Sequence, residues 1–473
     1  MKHTTKTVLA ATTAALTAFI CQPSAQAQSA DTLIDKLVEK GILTTKEAQS
    51  LRDEADKDFT RAYSAKSGLP EWVTALRVSG DVRLRYDGIY MDPDSGGATS
   101  VDRNRLRHRT RLGVTATLQD DFEVGIRLTS GENKSTGNNG MGDPISGNDS
   151  FTNNGSKKLL WLDLAYAKWQ FLNQPEWSAT FIGGKMENPF VFSEVMFDSD
   201  YTPEGGAFQM AYNLNDQQSV KFNGGFFSLV ESSGSSKDSF LFGAQLRLDS
   251  VWNQHIATTV GLSVLGITDK QNLTHAAAGA NPNVPDVSRG NTRVSSTGAL
   301  TSSFNPIVVD GSLTYTKESF PMYPGAFPIK FMVDYVNNLS VSQTPAGTFL
   351  GVGKKRGEAY SVGMTLGKSG KKGTWDLTYK WKNLESNYWF EEVVDSDHGG
   401  WYQTSPFAAA PSTAGTGYGA GTNLRGHYMR AAYSPYDSLT LSVNYYLFNL
   451  IDKPIGALSS TAGRIQVDAA FKF

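Results

Sequence analysis

Arg103, Arg105, Arg107, Arg109 and Arg111 occupy every second position of one short stretch, and Arg77, Asp81, Arg83 and Arg85 repeat that spacing just upstream. Alternate residues of an extended strand share a face, so this spacing gathers guanidinium groups into a ladder on one wall. Such a ladder can pair with carboxylates and stiffen the wall, or it can order passing anions by its field. The residues leave both readings open. Candidate carboxylates lie at 188–203, whose Val191, Phe192, Val195 and Phe197 are too apolar for a solvated loop. This segment is expected to fold inward, bury those four side chains, and aim Asp198, Asp200 and the following Glu204 across a constriction. Facing them would stand Arg83, Arg85, Arg105, Arg107, Arg109 and Arg111. A second acidic pair, Asp395 and Asp397, precedes His398 in a later loop. Both Asp-Ser-Asp triplets begin like a calcium loop, but neither continues with the required ligand spacing. No metal and no cofactor are expected.

Signals for catalysis are weak. Gly363 to Ser369 looks like a phosphate loop, yet it is one residue short and leads into a Lys/Gly turn and another strand where a helix should start. There is no Gly-x-Ser-x-Gly and no His-Glu-x-x-His. His255, His275, His398 and His427 are scattered among loops and strand ends, so no catalytic residue is assigned and the chain is not read as an enzyme.

The first residues set the compartment. Lys2 and Lys6 give a basic start, residues 8–20 an apolar stretch, and Ala25-Gln26-Ala27 a small-residue cleavage site, so 1–27 reads as a secretory signal. The single cysteine, Cys21, lies inside it, which leaves the mature chain without a disulfide framework. Removing Lys2 and Lys6 from the 44 basic residues leaves 42 against 46 acidic ones, about −4. That balance excludes a nucleic-acid binder and a polybasic anchor. No later segment carries the roughly 18 consecutive apolar residues of a spanning helix. A membrane protein without such a helix must be a closed barrel, because only helices and barrels satisfy every backbone group in lipid.

The elements that would position the ladder follow from hydrophobic period. Residues 28–70 read as a helical hairpin and linker: Leu33, Ile34, Leu37 and Val38 fall at helical spacing, and Thr44 with Glu47 makes a capping box. From Trp72 onward the period is two. Strands are expected near 73–86, 102–118, 121–130, 158–173, 176–187, 204–214, 217–231, 238–250, 253–267, 305–317, 328–340, 357–368, 373–385, 421–434, 436–449 and 463–473. Links from even to odd strands are short and those from odd to even mostly long, as in outer-membrane barrels. The expected fold is therefore an all-β transmembrane antiparallel barrel of about 16 strands, with 18 as the alternative count, spanning 71–473. Trp375, Leu377, Tyr379 and Trp381 should face lipid, opposite Asp376, Thr378, Lys380 and Lys382 in the lumen. The last strand closes the barrel, with Arg464, Gln466 and Asp468 inside, expected beside Arg77, Asp81 and Arg83. His108 is the exception, an outward polar residue near the extracellular end.

These motifs resemble the putative porin family of bacterial outer membranes. The resemblance rests on the helical start at 33–51 and on Gly184-Lys185-Met186-Glu187-Asn188-Pro189-Phe190, followed by Phe197-Asp198-Ser199-Asp200 and Pro203-Glu204-Gly205-Gly206. It extends to Asp334 to Asn338, Leu384-Glu385 with Asp395 to Asp397, Leu424 to His427, and the terminal Phe473. It implies a passive channel for small hydrophilic solutes, a periplasmic helical segment, and a Phe473 that serves as signal to the barrel assembly machinery. Lipid, lipopolysaccharide and the assembly machinery are the expected partners, and barrels of this size can form homotrimers. The alternative is a barrel that conducts nothing and acts through its long loops as an adhesin or surface enzyme.

Overall fold

The computed structural model describes residues 68–91, 102–133, 142–231, 237–274, 289–294, 297–346, 352–398, 400–401, 418–419, 421–453 and 460–473. The expected signal at 1–27 and the helical hairpin, up to residue 67, lie outside them. Contacts divide the chain into Met1–Ala75 and Leu76–Phe473. Of the first unit, the described residues form a turn, with Val73 N donating to Pro70 O at 3.0 Å, that leads into the first strand.

Sixteen long strands form the wall: β1 (Val73–Met91), β2 (Arg103–Leu118), β3 (Phe122–Ser130), β4 (Leu160–Asn173), β5 (Trp177–Lys185), β6 (Glu204–Asn215), β7 (Gln218–Val230) and β8 (Ser239–Val251). They continue as β9 (Ile256–Ile267), β10 (Pro306–Lys317), β11 (Phe327–Asn338), β12 (Glu358–Gly367), β13 (Trp375–Leu384), β14 (Leu424–Tyr436), β15 (Leu439–Leu450) and β16 (Ala462–Lys472). Neighbours pair antiparallel, and β1 pairs with both β2 and β16, so the sheet closes on itself. Closure leaves no unpaired edge, as the bilayer demands. The period-two reading thus finds all sixteen staves within a few residues. One further two-residue strand, Asp149–Ser150, comes from the β3–β4 loop and pairs with Arg107 and His108, where β3 has already ended.

Which face meets lipid is settled along β8. Phe242, Leu246 and Leu248 are 44%, 52% and 39% exposed, whereas Gln245 and Arg247 between them are 0% and 7% exposed. Apolar side chains open to the outside and polar ones enclosed is the inverse of a soluble barrel. Water here is inside. Leu377 and Tyr379 on β13 are likewise exposed while Asp376 and Lys382 are buried. Near the short-turn rim an aromatic belt runs across β3, β4 and β6, with Phe122 stacked on Trp169 at 5.5 Å and Phe171 on Phe208 at 6.2 Å. Amphipathic rings at both membrane boundaries are typical of such barrels. The β2–β3 turn shows why this rim is tight: Asp120 and Asp121 both take φ of 59°, the left-handed pair that matches strand twist in a two-residue hairpin.

One sequence expectation changes. The terminal Phe473 exchanges backbone bonds with Gly80 (3.0 and 3.1 Å), which sets the closing register so that Asp468 stands opposite Arg85, Gln466 opposite Asp87 and Arg464 opposite Ile89. The last strand's inner residues therefore neighbour the long-loop half of β1, and the expected partners Arg77, Asp81 and Arg83 lie nearer the other rim. His108 faces outward as expected, its ring 5.7 Å from that of Phe151 in the β3–β4 loop.

Candidate pore constriction

The segment 188–203, between β5 and β6, folds into the barrel. Its backbone is tied to inward side chains of the wall: Gln209 Nε2 donates to Pro189 O (3.0 Å), Val191 N donates to Gln245 Oε1 (2.9 Å), and Gln245 Nε2 and Arg247 Nη1 donate to Val191 O (3.0 Å each). Phe190, Val195, Met196 and Phe197 are buried beneath it. Val191 departs from expectation, because its backbone is held to the wall and its side chain is turned away and 53% exposed. Phe192 is partly buried.

A second segment, 386–398 between β13 and β14, also enters the lumen. The sequence reading left this one as an ordinary long loop. Tyr388, Trp389, Phe390, Val393 and Val394 are buried in the same apolar cluster as Phe197. Tyr388 OH donates to Val195 O at 2.6 Å, Asp198 N donates to Val393 O at 2.9 Å, and the Trp389 ring meets that of Phe197 edge-on at 6.0 Å. From the β9–β10 loop, Arg289 N and Asn291 N both donate to Glu391 Oε2 (2.7 and 2.9 Å), while Arg293 Nε donates to Glu391 Oε1 at 2.7 Å. Three loops thus form one packed insert.

The ladder meets this insert through carboxylates. Arg109 bridges Asp81 (2.8 Å) and Asp200 (2.7 Å); Arg111 takes Asp81 at 2.6 Å and Asp200 at 3.6 Å. Arg85 holds Asp468 by two bonds of 2.7 and 2.8 Å and reaches Asp397 at 3.3 Å. Arg105 and Arg464 share Asp87, at 2.7 and 2.6 Å, and Arg464 also meets Asp397 at 3.2 Å. Arg107 has Asn148 O at 3.2 Å, with Glu132 and Asp87 at 3.6 and 3.9 Å. Among the described residues Arg83 bonds only the side chain of Asn148, at 2.7 Å.

The expected acidic set therefore divides. Asp200 reaches the ladder, and its carboxyl is held below the usual range because Arg109, Arg83 and Arg111 outweigh the effect of burial. Asp198 does not reach it. Its Oδ1 accepts from Asp200 N at 2.7 Å, and burial together with the charge of Asp395 pushes its carboxyl up. Glu204 turns away: it pairs with Lys185 at 2.9 Å and its side chain is 64% exposed. It lines the smaller cavity with Asp200 and Arg111 but stays off the ladder, since Glu204 is the first residue of β6 and leaves the loop with the strand. Asp395 and Asp397, read as a separate loop, join the site instead. Burial and Asp397 push Asp395 up to about 6, whereas Arg464 and Arg85 hold Asp397 well down against burial.

Several residues escaped the sequence reading. Asp87 lay one position past the strand end assigned at Tyr86, although the alternation with Asp81, Arg83 and Arg85 already included it. From the inward loop Glu194 binds Lys380 (2.8 Å from each oxygen) and Lys382 (2.9 Å) of β13. Their two charges hold its carboxyl well below the usual range despite burial. Lys382 also lies 2.9 Å from His398 Nε2; burial and that ammonium push the imidazole down, so it is neutral.

Two cavities flank the insert. One of about 480 Å³ is lined by Arg111, Asp163, Lys185 and Glu204; the other, of about 570 Å³, by Arg83, Arg85, Lys380 and Asp397. Arg109, Ser146 and Asp200 line both. The Arg109–Asp200 pair therefore stands in the partition between two wet chambers. Chemically this is a lumen of fixed opposite charges. Among the described residues no group of three or more His, Cys, Asp or Glu is placed to hold a metal ion.

Residues 92–273, which include β2 to β9 and the first inward loop, match the family model described as putative porin. Over this stretch the chain is similar to that family. No curated protein matches the chain. Among solved structures this chain is similar to OprB of Pseudomonas putida at high pH, with 12% identity, a TM-score of 0.49, and 88% of this chain and 96% of that one covered. It is also similar to OmpF of Salmonella typhi, with 11% identity, a TM-score of 0.42 and coverage of 84% and 97%. For the outer-membrane channel DcaP of Acinetobacter baumannii the values are 12%, 0.41, 84% and 97%.

Proposed function

We propose that this porin is a passive diffusion channel of the outer membrane whose permeation path runs between the arginine ladder and the inward loops, past Arg109 and Asp200. The observation that carries this reading is the lining of both chambers by that one ion pair. Fixed charges of both signs in a narrow lumen favour hydrated polar solutes over apolar ones. The constriction consists of Asp200 and Asp397 against Arg83, Arg85, Arg105, Arg107, Arg109 and Arg111, with Asp198 and Asp395 as a buried reserve behind them. The long-loop rim faces outward, among lipopolysaccharide. The segment that precedes residue 68 lies in the periplasm, Phe473 is presented to the assembly machinery, and the barrels associate as homotrimers. A channel, rather than an enzyme, is the activity this arrangement supports.

Planar-bilayer recording of the refolded chain tests the reading. Stepwise conductance from a heat-modifiable barrel is expected. A folded barrel that never conducts would favour the second reading, in which the apolar three-loop insert is a plug and the outer loops act as an adhesin or surface enzyme.

A further inference from the structure

Four arginines line the larger chamber: Arg83, Arg85, Arg109 and Arg430. Arg85 has Asp468 and Asp397, Arg109 has Asp81 and Asp200, and Arg430 has Asp376. Arg83 alone among these has no carboxylate within 4.0 Å among the described residues, and Asp200, Asp468 and Asp397 act on it only through space. The register explains the difference. β16 places Asp468 directly opposite Arg85, but two residues on, opposite Arg83, it places Ala470. The β3–β4 loop then supplies a neutral oxygen, Asn148 Oδ1, to Arg83 Nη2. Among the described residues the buried Nε of Arg83 has no hydrogen-bond partner. Asn148 is itself fixed, its carbonyl accepting from Arg107 and its amide donating to Ser146 Oγ at 3.1 Å.

We infer that Arg83, with Asn148 orienting it, is a binding site for the oxyanion group of a permeating solute, a carboxylate, sulfate or phosphate. The inference rests on the channel reading for its place on the path. A guanidinium presents a planar set of donors suited to an oxyanion, and one short of a charged partner in a partly desolvated wall gains most from a mobile one. A chamber of about 570 Å³ leaves ample room for such a group beside water, at about 30 Å³ per molecule. Selectivity then comes from one missing carboxylate rather than from the length of the ladder.

Inorganic sulfate is the probe, because its charge is constant across the accessible pH range. In potassium chloride, sulfate should lower the chloride current of the full chain in a saturable way. Arg83→Gln should raise the half-blocking concentration about tenfold or more, the loss expected for a charged hydrogen-bonding group. Ala470→Asp should do the same while keeping Arg83, by giving it the carboxylate that the register withholds. Unsaturable current in the parent chain, or half-blocking concentrations unchanged in both variants, would overturn the site. Calorimetric sulfate titration of the detergent-solubilised full chain separates the two readings. Arg83-dependent binding without conductance would sink the channel and keep the site; conductance without Arg83-dependent binding would do the reverse.

Discussion

The two loops that enter the lumen are held in different ways. Segment 188–203 is fastened to the wall, through Gln209, Gln245 and Arg247, so its position follows from the barrel itself. Segment 386–398 reaches the wall near its two ends, through Asn387 with Asn338 and through Asp397 with Arg85 and Arg464, but its middle is fastened to other loops, through Glu391 to the β9–β10 loop and Tyr388 to Val195. A wall-anchored loop is as rigid as the staves behind it. A loop-anchored one depends on a few buried contacts, and breaking these should move it while the barrel stays closed.

The largest effect should come from Glu391→Gln. Glu391 and Arg293 are both fully buried, and their 2.7 Å pair links the two loops. Removing one partner of such a pair leaves an uncompensated buried charge, at a cost of about 3 to 5 kcal/mol. The remaining bonds of Arg293, to Leu273 O and Gly298 O, are on its own side and cannot hold 386–398. Single-channel records should show a larger, noisier conductance, with new protease cleavage between residues 386 and 398 and a barrel that remains heat-modifiable. Unchanged conductance and cleavage would mean that the apolar contacts of Trp389 and Phe390 suffice to anchor the loop.

The same contrast explains what could be read in advance. The staves were legible because lipid on one side and water on the other impose a strict period of two, as in Trp375 to Lys382. The wall-anchored loop was legible because Val191 to Phe197 is too apolar for solvent. The second loop was not, since Glu391 and Glu392 interrupt its apolar run and disguise it as a solvated segment. What neutralises Glu391 is Arg293, 98 positions away, and no local spacing can supply that pairing. Arg83 illustrates the same limit. Its charge was visible, but its lack of a partner depends on the register of β16.

A smaller effect should appear with pH where the loops meet. Asp395 is pushed up to about 6 by burial and Asp397, from an ordinary value of 3.8, and Asp198 is pushed up beside it. Between those two values the folded state binds more protons than the unfolded one, so the contribution is present at pH 4 and is lost as pH rises through 6. Lys382 moderates the effect by lowering Asp395. Buried His398 acts in the opposite sense, because its imidazole is pushed down and only the unfolded chain protonates it as pH falls through 6.5. On going from pH 7 to pH 5 the melting temperature of the parent should therefore rise relative to that of Asp395→Asn. An equal change in both proteins would assign it to other groups.

The smallest effect separates two carboxylates that lie four residues apart. Asp200 is buried between Arg109 and Arg111, whereas Glu204 is largely exposed and pairs with Lys185 alone. An exposed pair contributes about 0 to 1 kcal/mol, and its field is screened within about 8 Å at physiological salt. Glu204→Gln should leave both stability and the reversal potential in a salt gradient close to those of the parent. Asp200→Asn should shift the reversal potential toward anions, because it leaves a positive charge uncompensated in the partition between the chambers. If the two substitutions shifted the potential equally, Glu204 would share the field of the constriction, and the narrowest part of the path would extend to the start of β6 instead of ending at Asp200.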